Sequence, residues 1–230
     1  MSIIEQILET AHRQFWYREA GEPAAPAIIL LHSMGPDATV WDPVAKALSD
    51  RFHVFALHQR GFGPGKRPGN YTFELMRDDV LAFADALRLE QFILVGHSMG
   101  GTVAYLVAEK SPERVVKLVI EDTPPPWGGD MPDPPDVPPE PVAFDWEVWR
   151  SISKQLKYPD PRWWDELPEI ACPTLIIGGG STSHVPQELL VRVANLIPNA
   201  RLVSVDGAGH NIHTDRLDEF MTALHGFLSP

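Results

Sequence analysis

The chain has 230 residues, of which 44% are hydrophobic and 22% are charged, and its formal net charge is −12. This length favours one domain with a single sizeable core. The negative charge argues against binding to nucleic acid or to an anionic membrane surface, because both partners need a basic footprint on the protein.

Several other classes of protein are also disfavoured. No stretch approaches the roughly 20 apolar residues that a membrane span requires. The single cysteine, Cys172, cannot form an internal disulfide, and no C-x-x-C or H-E-x-x-H spacing indicates a metal. The first residues carry acid where a signal peptide would carry base. We therefore expect a cytoplasmic protein that uses no metal and no cofactor.

Apolar runs and helical periodicity alternate along the first half of the chain. The apolar runs predict strands, and a 3.6-residue spacing of apolar positions predicts helices. Strands are predicted at residues 14–18, 27–31, 52–57 and 92–95, and helices at residues 38–50 and 73–89. Such alternation favours right-handed crossovers and a mostly parallel sheet.

The motif G-H-S-M-G at residues 96–100 lies between a predicted strand and a helix-compatible segment. A turn this tight requires small residues two before and two after the serine, here Gly96 and Gly100. It would raise the Ser98 hydroxyl above the sheet and place the Met99 backbone N–H at a helix N-terminus, where it can receive an oxyanion. The alternative is a glycine-rich turn in which the serine only caps the helix.

In this context the motif resembles the nucleophile elbow of the α/β-hydrolase superfamily, and the resemblance covers nearly the whole chain. It implies an α/β-hydrolase fold, a mostly parallel sheet with helices on both faces. It also implies a second oxyanion donor in the loop after residues 27–31, which by position is the N–H of Met34. Ser33, the residue before Met34, occupies a position where the family usually has glycine. The loop with this serine is similar to that of enol-lactonase-like members. His32 is expected to brace the loop.

The second half of the chain contains an insertion rich in proline and tryptophan. Strands are predicted at residues 115–120, 173–178 and 200–205, and helices at residues 188–197 and 215–228. Residues 124–141 contain nine prolines, which exclude regular structure there. Short helices are predicted at residues 144–157 and 160–165. The resemblance implies a cap at residues 124–170 over a core of residues 1–123 and 171–230.

Five of the seven tryptophans fall in this insertion. Aromatic density in a cap favours an apolar acyl, lactone or aromatic substrate, because pockets are mostly lined by such groups. The alternative is that the tryptophans only attach the cap to the core. The candidate pocket residues are Ser33, Trp127, Trp146 and Trp149.

A serine hydroxyl needs a base within hydrogen-bond reach before it can act as a nucleophile. His210 is the candidate base, because it follows the last predicted strand in a G-A-G-H sequence that resembles the histidine loop of the family. Its place late in the chain matches the order serine, acid, histidine of this fold.

The acid is harder to predict. The loop at residues 178–184, where most members of the family carry an aspartate, has no carboxylate. Some members carry the acid one strand earlier, and that position holds Glu121 and Asp122. Adjacent strand residues point to opposite faces, so only one of the two is expected to reach His210. We favour Asp122 as the acid, with Glu121 as the alternative, and Asp206 is less favoured. A pair of Ser98 and His210 that works without an acid stays open as a further alternative.

These residues predict acyl transfer to water from a small ester or lactone. The alternative is a non-hydrolytic protein of the same fold, which would bind or signal through a ligand or act as a lyase or acyltransferase. A scaffold that binds partners through the proline-rich segment is a third possibility. The expected partner is a small-molecule substrate, without nucleic acid or membrane, for a monomer or a homodimer.

Overall fold

The computed structural model describes residues 2–11, 13–66 and 68–229. The strands in this part are β1 (Ile4–Glu9), β2 (Gln14–Ala20), β3 (Ala27–Leu31), β4 (His53–Leu57), β5 (Phe92–His97), β6 (Val115–Glu121), β7 (Thr174–Gly178) and β8 (Ala200–Ser204). They form one sheet in the order β1-β2-β4-β3-β5-β6-β7-β8. Strand β2 is antiparallel to both of its neighbours, and the remaining pairs are parallel.

The helices lie in the connections between strands and after the last strand. They are α1 (Asp42–Leu48), α2 (Phe73–Ala86), α3 (Met99–Lys110), α4 (Trp146–Lys157), α5 (Arg162–Asp165), α6 (Gln187–Leu196), α7 (Ile212–Asp215) and α8 (Leu217–Leu228). Within the described ranges, none of them has the length and apolar character needed to cross a bilayer.

Two apolar cores cover the two faces of the sheet. Side chains of β5 alternate between them, as a strand with two buried faces requires. Phe92 and Leu94 pack in the core formed with α2, α3, α4 and α6, whereas Ile93 and Val95 pack in the core formed with α1 and α8. The predicted fold class, a mostly parallel sheet between helices, is therefore confirmed.

The register of the parallel strands brings their carboxyl ends to one level. Leu31 of β3 pairs with Gly96 of β5, His97 of β5 pairs with Glu121 of β6, and Glu121 pairs with Ile177 of β7. The loops that follow β3, β5, β6 and β7 consequently meet at one edge of the sheet. In open parallel sheets this edge is where ligands bind.

The ends of the chain differ from the prediction. Strand β1 was not predicted, because its apolar residues Ile4, Ile7 and Leu8 have helical rather than alternating spacing. It is nevertheless held as a strand by antiparallel pairing with β2. The closing helix predicted at residues 215–228 is α8, and a short helix that was not predicted, α7, precedes it and is separated from it at Arg216 (φ −138°).

The insertion between β6 and β7 lies against the rest of the molecule. Residues 124–145 contain no helix or strand, as the prolines predict. The Trp163 indole of α5 packs edge-on against Phe73, with ring centres 5.3 Å apart, and donates a hydrogen bond of 3.2 Å to Glu74 of α2. The Tyr71 hydroxyl donates to the Asp145 carboxylate. These contacts support our proposal that residues 124–170 form a cap on the core.

One carboxylate is buried without a counter-charge in contact. Both side-chain oxygens of Glu109, on α3, are inaccessible and have no hydrogen-bond partner within the described ranges. Burial, reinforced by the nearby Glu166 and opposed by Arg77, raises the pKa of Glu109 to about 8 from its ordinary value of 4.5. The folded state therefore holds this proton more tightly than the unfolded state, and stability falls as the pH rises from about 4.5 to about 8.

We predict that Glu109→Gln stabilises the protein under alkaline conditions, because the amide carries no charge to desolvate. The expected gain at pH 9 is about 2 kcal/mol, which corresponds to roughly 4–8 °C in Tm. At pH 5 the gain should nearly vanish, since Glu109 is then mostly protonated in the folded protein. Thermal unfolding at both pH values, with the exposed Glu113→Gln as a matched control, tests this. An equal effect at both pH values would contradict it.

Candidate active site

The turn between β5 and α3 has the strained geometry that its sequence predicts. Ser98 adopts φ 53° and ψ −117°, a region that side chains with a Cβ rarely occupy. A Cβ on Gly96 would lie 2.3 Å from the Gly100 carbonyl oxygen, and a Cβ on Gly100 would lie 2.4 Å from the Leu31 carbonyl oxygen. Only glycine fits at both positions, and α3 therefore packs directly against the end of β3.

The backbone of Ser98 is held from the neighbouring strand. Its N–H donates a 2.7 Å hydrogen bond to the Thr123 hydroxyl, which itself donates to the Glu121 carbonyl at 2.6 Å. The Tyr105 hydroxyl of α3 donates to the Thr123 carbonyl at 2.8 Å. The strained turn is thus connected to the end of β6, where the candidate acids lie.

Asp122 is the carboxylate that contacts the candidate base. His210 Nδ1 lies 2.9 Å from Asp122 Oδ2. The side chain of Asp122 is fully buried, and its backbone has a positive φ of 45° just beyond β6. Of the three carboxylates considered from the sequence, the structure brings this one to His210.

The loop at residues 178–184 explains how Asp122 is supported. The Gly179 N–H donates to Asp122 Oδ1 at 2.8 Å, and Gln187 Nε2 donates to the same oxygen at 3.0 Å. The Ser183 hydroxyl donates to Oδ2 at 2.5 Å. The loop that lacks its own acid therefore supplies donors to a carboxylate from β6. Sequence reasoning missed Ser183 and Gln187, since nothing in a polar loop indicates which carboxylate it faces.

These donors keep the acid ionised. Burial raises the pKa of Asp122, but hydrogen bonds from His210, Ser183, Gly179 and Gln187 outweigh burial and leave the pKa below its ordinary value. A buried aspartate without partners would instead be driven towards the neutral form. At neutral pH the site therefore contains a fixed negative charge next to His210 Nδ1.

The other candidate acids have different partners. Glu121 points to the opposite face and contacts His213, with Nδ1 2.7 Å from Oε2. Asp206 accepts hydrogen bonds from the backbone and hydroxyl of Ser181. His213 is buried in α7.

Two further histidines surround His210. His97 Nε2 lies 2.8 Å from the His210 carbonyl oxygen, and the two rings are 4.6 Å apart. The His184 ring packs edge-on against His210 at 4.4 Å and lines the same cavity as Ser98. Burial and the nearby His210 lower the pKa of His184, although the negative charge of Asp122 acts to raise it. Sequence reasoning did not identify His184 as a site residue.

The loop after β3 is braced by His32. Its Nε2 accepts the Gln59 N–H at 3.1 Å, so Nδ1 carries the proton and donates to the Ser33 carbonyl at 2.7 Å. Burial, only partly offset by the Ser33 hydrogen bond, lowers the pKa of His32 to about 4. The bracing role expected of this histidine is confirmed, and the neutral ring fixes the shape of the loop that leads to Met34.

A cavity of about 320 Å³ opens above these residues. Ser98, Met34, Met99, Asp122 and His210 all line it. Its remaining walls come mostly from apolar residues and from the insertion, namely Thr102, Thr123, Pro124, Pro126, Trp127, Gly128, Gly129, Asp130, Met131, Ile152, Leu156, His184 and Val185. The structure thus gathers the predicted nucleophile, base, acid and both oxyanion donors around one space.

Only one of the predicted pocket tryptophans reaches this cavity. Trp127 lines it, whereas Ser33, Trp146 and Trp149 do not. Trp146 and Trp149 stack on each other with ring centres 5.7 Å apart, and the Trp146 indole donates to the Pro135 carbonyl. Their three-residue spacing puts both rings on one side of α4. These two rings therefore pack within the insertion, which corrects their predicted place in the pocket.

Comparisons with known proteins agree with this geometry. Residues 26–140 match the α/β hydrolase fold family. The sn-1-specific diacylglycerol lipase ABHD11 of Mus musculus is 25% identical over 91% of this chain and 83% of its own length. The crystal structure of a hydrolase from Pseudomonas aeruginosa is 26% identical, with a TM-score of 0.84 over 98% of both chains. The enol-lactonase from Burkholderia xenovorans is 24% identical and shares the fold, with a TM-score of 0.83 over 98% of this chain and all of that one.

The chain therefore belongs to the α/β hydrolase fold family. The predicted resemblance is confirmed, and so is the prediction of an enzyme of the α/β-hydrolase type.

We predict that Ser98→Gly is more stable than Ser98→Ala, by about 1 kcal/mol or roughly 2–4 °C in Tm. Both variants lose the hydroxyl, but only glycine removes the cost of holding a Cβ at φ 53°. Thermal unfolding of the two variants measures the difference. In the interior of α2, Ala82→Gly should have the opposite sign and serves as the control. An alanine variant as stable as the glycine variant would show that the turn is not strained.

Proposed function

We propose that the protein hydrolyses a small ester or lactone through an acyl-serine intermediate. The observation that carries this proposal is the 2.9 Å contact between His210 Nδ1 and Asp122, beside the cavity that Ser98 also lines. A carboxylate on Nδ1 fixes the tautomer, so that Nε2 is unprotonated and able to accept a proton. His210 is then the general base, and Asp122 is the residue that orients it.

The first half of the reaction forms the acyl-enzyme. The Ser98 oxygen attacks the carbonyl carbon while its proton moves to His210 Nε2. The backbone N–H groups of Met34 and Met99 receive the negative oxygen of the tetrahedral intermediate, and such a donor contributes about 10²–10³-fold in rate. The intermediate collapses when His210 returns the proton to the leaving alcohol.

The second half releases the acid. His210 takes a proton from water, and the resulting hydroxide attacks the acyl carbon. The Ser98 oxygen then leaves with the proton from His210, which restores the resting site. In both halves the imidazolium forms next to the ionised Asp122, and the hydrogen bonds on that carboxylate keep its charge in place.

The lining of the cavity favours a substrate with an uncharged, apolar or aromatic acyl group. Met34, Met131, Ile152, Leu156 and Trp127 contribute apolar walls, and no lysine or arginine of the described residues lines the cavity. Its volume of about 320 Å³ is at the lower end for ligand pockets, which favours a small substrate. The naming of one relative as a diacylglycerol lipase further supports ester cleavage.

The proposal predicts rapid labelling of Ser98 by a fluorophosphonate, because this probe reacts with activated serines whatever their substrate. Mass spectrometry of the labelled protein should place the adduct on Ser98. Ser98→Ala should abolish labelling, and His210→Gln should slow it by about 10³-fold or more, since the serine then has no base.

Ser229→Ala, which removes an exposed hydroxyl at the end of α8, is the matched control and should label at the wild-type rate. Hydrolysis of short-chain p-nitrophenyl esters should follow the same order among the variants. A folded wild-type protein that is not labelled would contradict the proposal, and in that case tight ligand binding without turnover would favour a non-hydrolytic role.

A further inference from the structure

A second acid–imidazole pair lies directly behind the proposed catalytic one. The side chains of Glu121, His213 and His97 are almost completely buried. His213 Nδ1 lies 2.7 and 2.9 Å from the two oxygens of Glu121, and the backbone N–H of His213 donates to Glu121 at 2.9 Å. Neither Glu121 nor His213 nor His97 lines the cavity. The site described above leaves this cluster without a function.

The His213 ring is fixed on several sides. Trp41 stacks on its face at 4.1 Å with an interplanar angle of 22°, and Phe220 packs against it at 6.0 Å. Burial raises the pKa of Glu121, but the nearby imidazoles of His97 and His213 and the hydrogen bonds from His213 outweigh burial and leave the pKa below its ordinary value. The pair is therefore a buried contact between a carboxylate and an imidazole that is packed between aromatic rings.

His97 connects this pair to the proposed base. It lies between the two, with its ring 5.1 Å from His213 and 4.6 Å from His210. Burial lowers the pKa of His97 to about 4, so the ring is neutral at neutral pH. Its Nε2 proton is donated to the His210 carbonyl oxygen at 2.8 Å. The loop of residues 207–213 is thus held at the His210 carbonyl by β5 and at His213 by β6.

We propose that Glu121, His213 and His97 are positioning residues, which hold the His210 loop so that the imidazole stays aligned between Asp122 and Ser98. This inference rests on the proposed role of His210 as general base. A displacement of about 1 Å in a catalytic group can cost roughly 10²-fold in rate, so such a device has a measurable effect on turnover.

The same three side chains also have the composition of a cation site, because one ligand atom from each lies within 4.8 Å of the others. Two ligands on one zinc ion stand about 3.3 Å apart, given bond lengths near 2 Å in tetrahedral geometry. The Glu121 and His213 atoms are closer than that, at 2.7 Å, which is the separation of a direct hydrogen bond. A shared proton therefore accounts for the contact between these two side chains.

The test compares Glu121→Gln with the wild type. The amide keeps the volume and one acceptor but loses the charge that holds His213. We expect kcat for a p-nitrophenyl ester to fall by about 10–100-fold and KM to stay within about threefold, since the cavity walls are untouched. Fluorophosphonate labelling of Ser98 should slow by the same factor as kcat.

A second pair of variants avoids a buried unpaired charge. His97→Gln retains a donor near the Nε2 position, whereas His97→Leu removes it and leaves the His210 carbonyl without a partner. The leucine variant should lose about tenfold or more in kcat, and the glutamine variant should recover most of that loss. A role in stability alone would lower Tm in both variants without this difference in kcat.

The matched control is Glu19→Gln, which breaks another His–Glu contact of 2.6 Å, between Glu19 and His53 at the opposite end of the strands. It should lower Tm and leave kcat unchanged. Folded Glu121→Gln and His97→Leu proteins with wild-type kcat would overturn the proposal, as would a stoichiometric metal whose removal abolishes activity. Failure of the wild-type protein to label at Ser98 would instead refute the proposed function itself.

Discussion

The burial of one negative charge organises the edge of the sheet where the site lies. Asp122 is fully buried, and a carboxylate in that position is unfavourable unless several donors satisfy it. Its donors come from three separate parts of the chain: the loop after β7, the start of α6, and the loop before α7. Those segments are held together because each of them contributes to the same charge. The position of His210 is a consequence of that requirement.

The two consecutive acids at the end of β6 divide the site between two faces of the sheet. Strand geometry sends Asp122 towards the cavity and Glu121 towards the core that contains Trp41 and Phe220. Each acid takes one histidine from the segment of residues 210–213. The end of β6 thus fixes the His210 loop at two points. This glycine-rich loop has little structure of its own, and the two contacts make it rigid enough to position the His210 imidazole.

Local signals predicted most of the fold and part of the site. The positions of most strands and helices along the chain follow from apolar runs and helical periodicity, and the turn at Ser98 follows from two glycines that have no room for a Cβ. The choice between Asp122 and Glu121 depends on which face each residue occupies at the very end of a strand. The positive φ of Asp122 is a tertiary feature that no local pattern reveals. Ser183 and Gln187 were not predicted as site residues for the same reason. By contrast, the spacing of Trp146 and Trp149 on one helix was local information that could have predicted their packing on each other.

The most direct test of this account is the turnover of Asp122→Asn, measured with a p-nitrophenyl ester beside Asp206→Asn, whose exposed carboxylate accepts hydrogen bonds from Ser181. The amide keeps the shape of the side chain but removes the charge and favours the wrong tautomer of His210. The account predicts that Asp122→Asn loses about 10³–10⁴-fold in kcat with a folded structure and little change in KM, while Asp206→Asn stays near the wild type. An Asp122→Asn enzyme within a few-fold of the wild type would contradict the assignment of this carboxylate as the group on which the site depends.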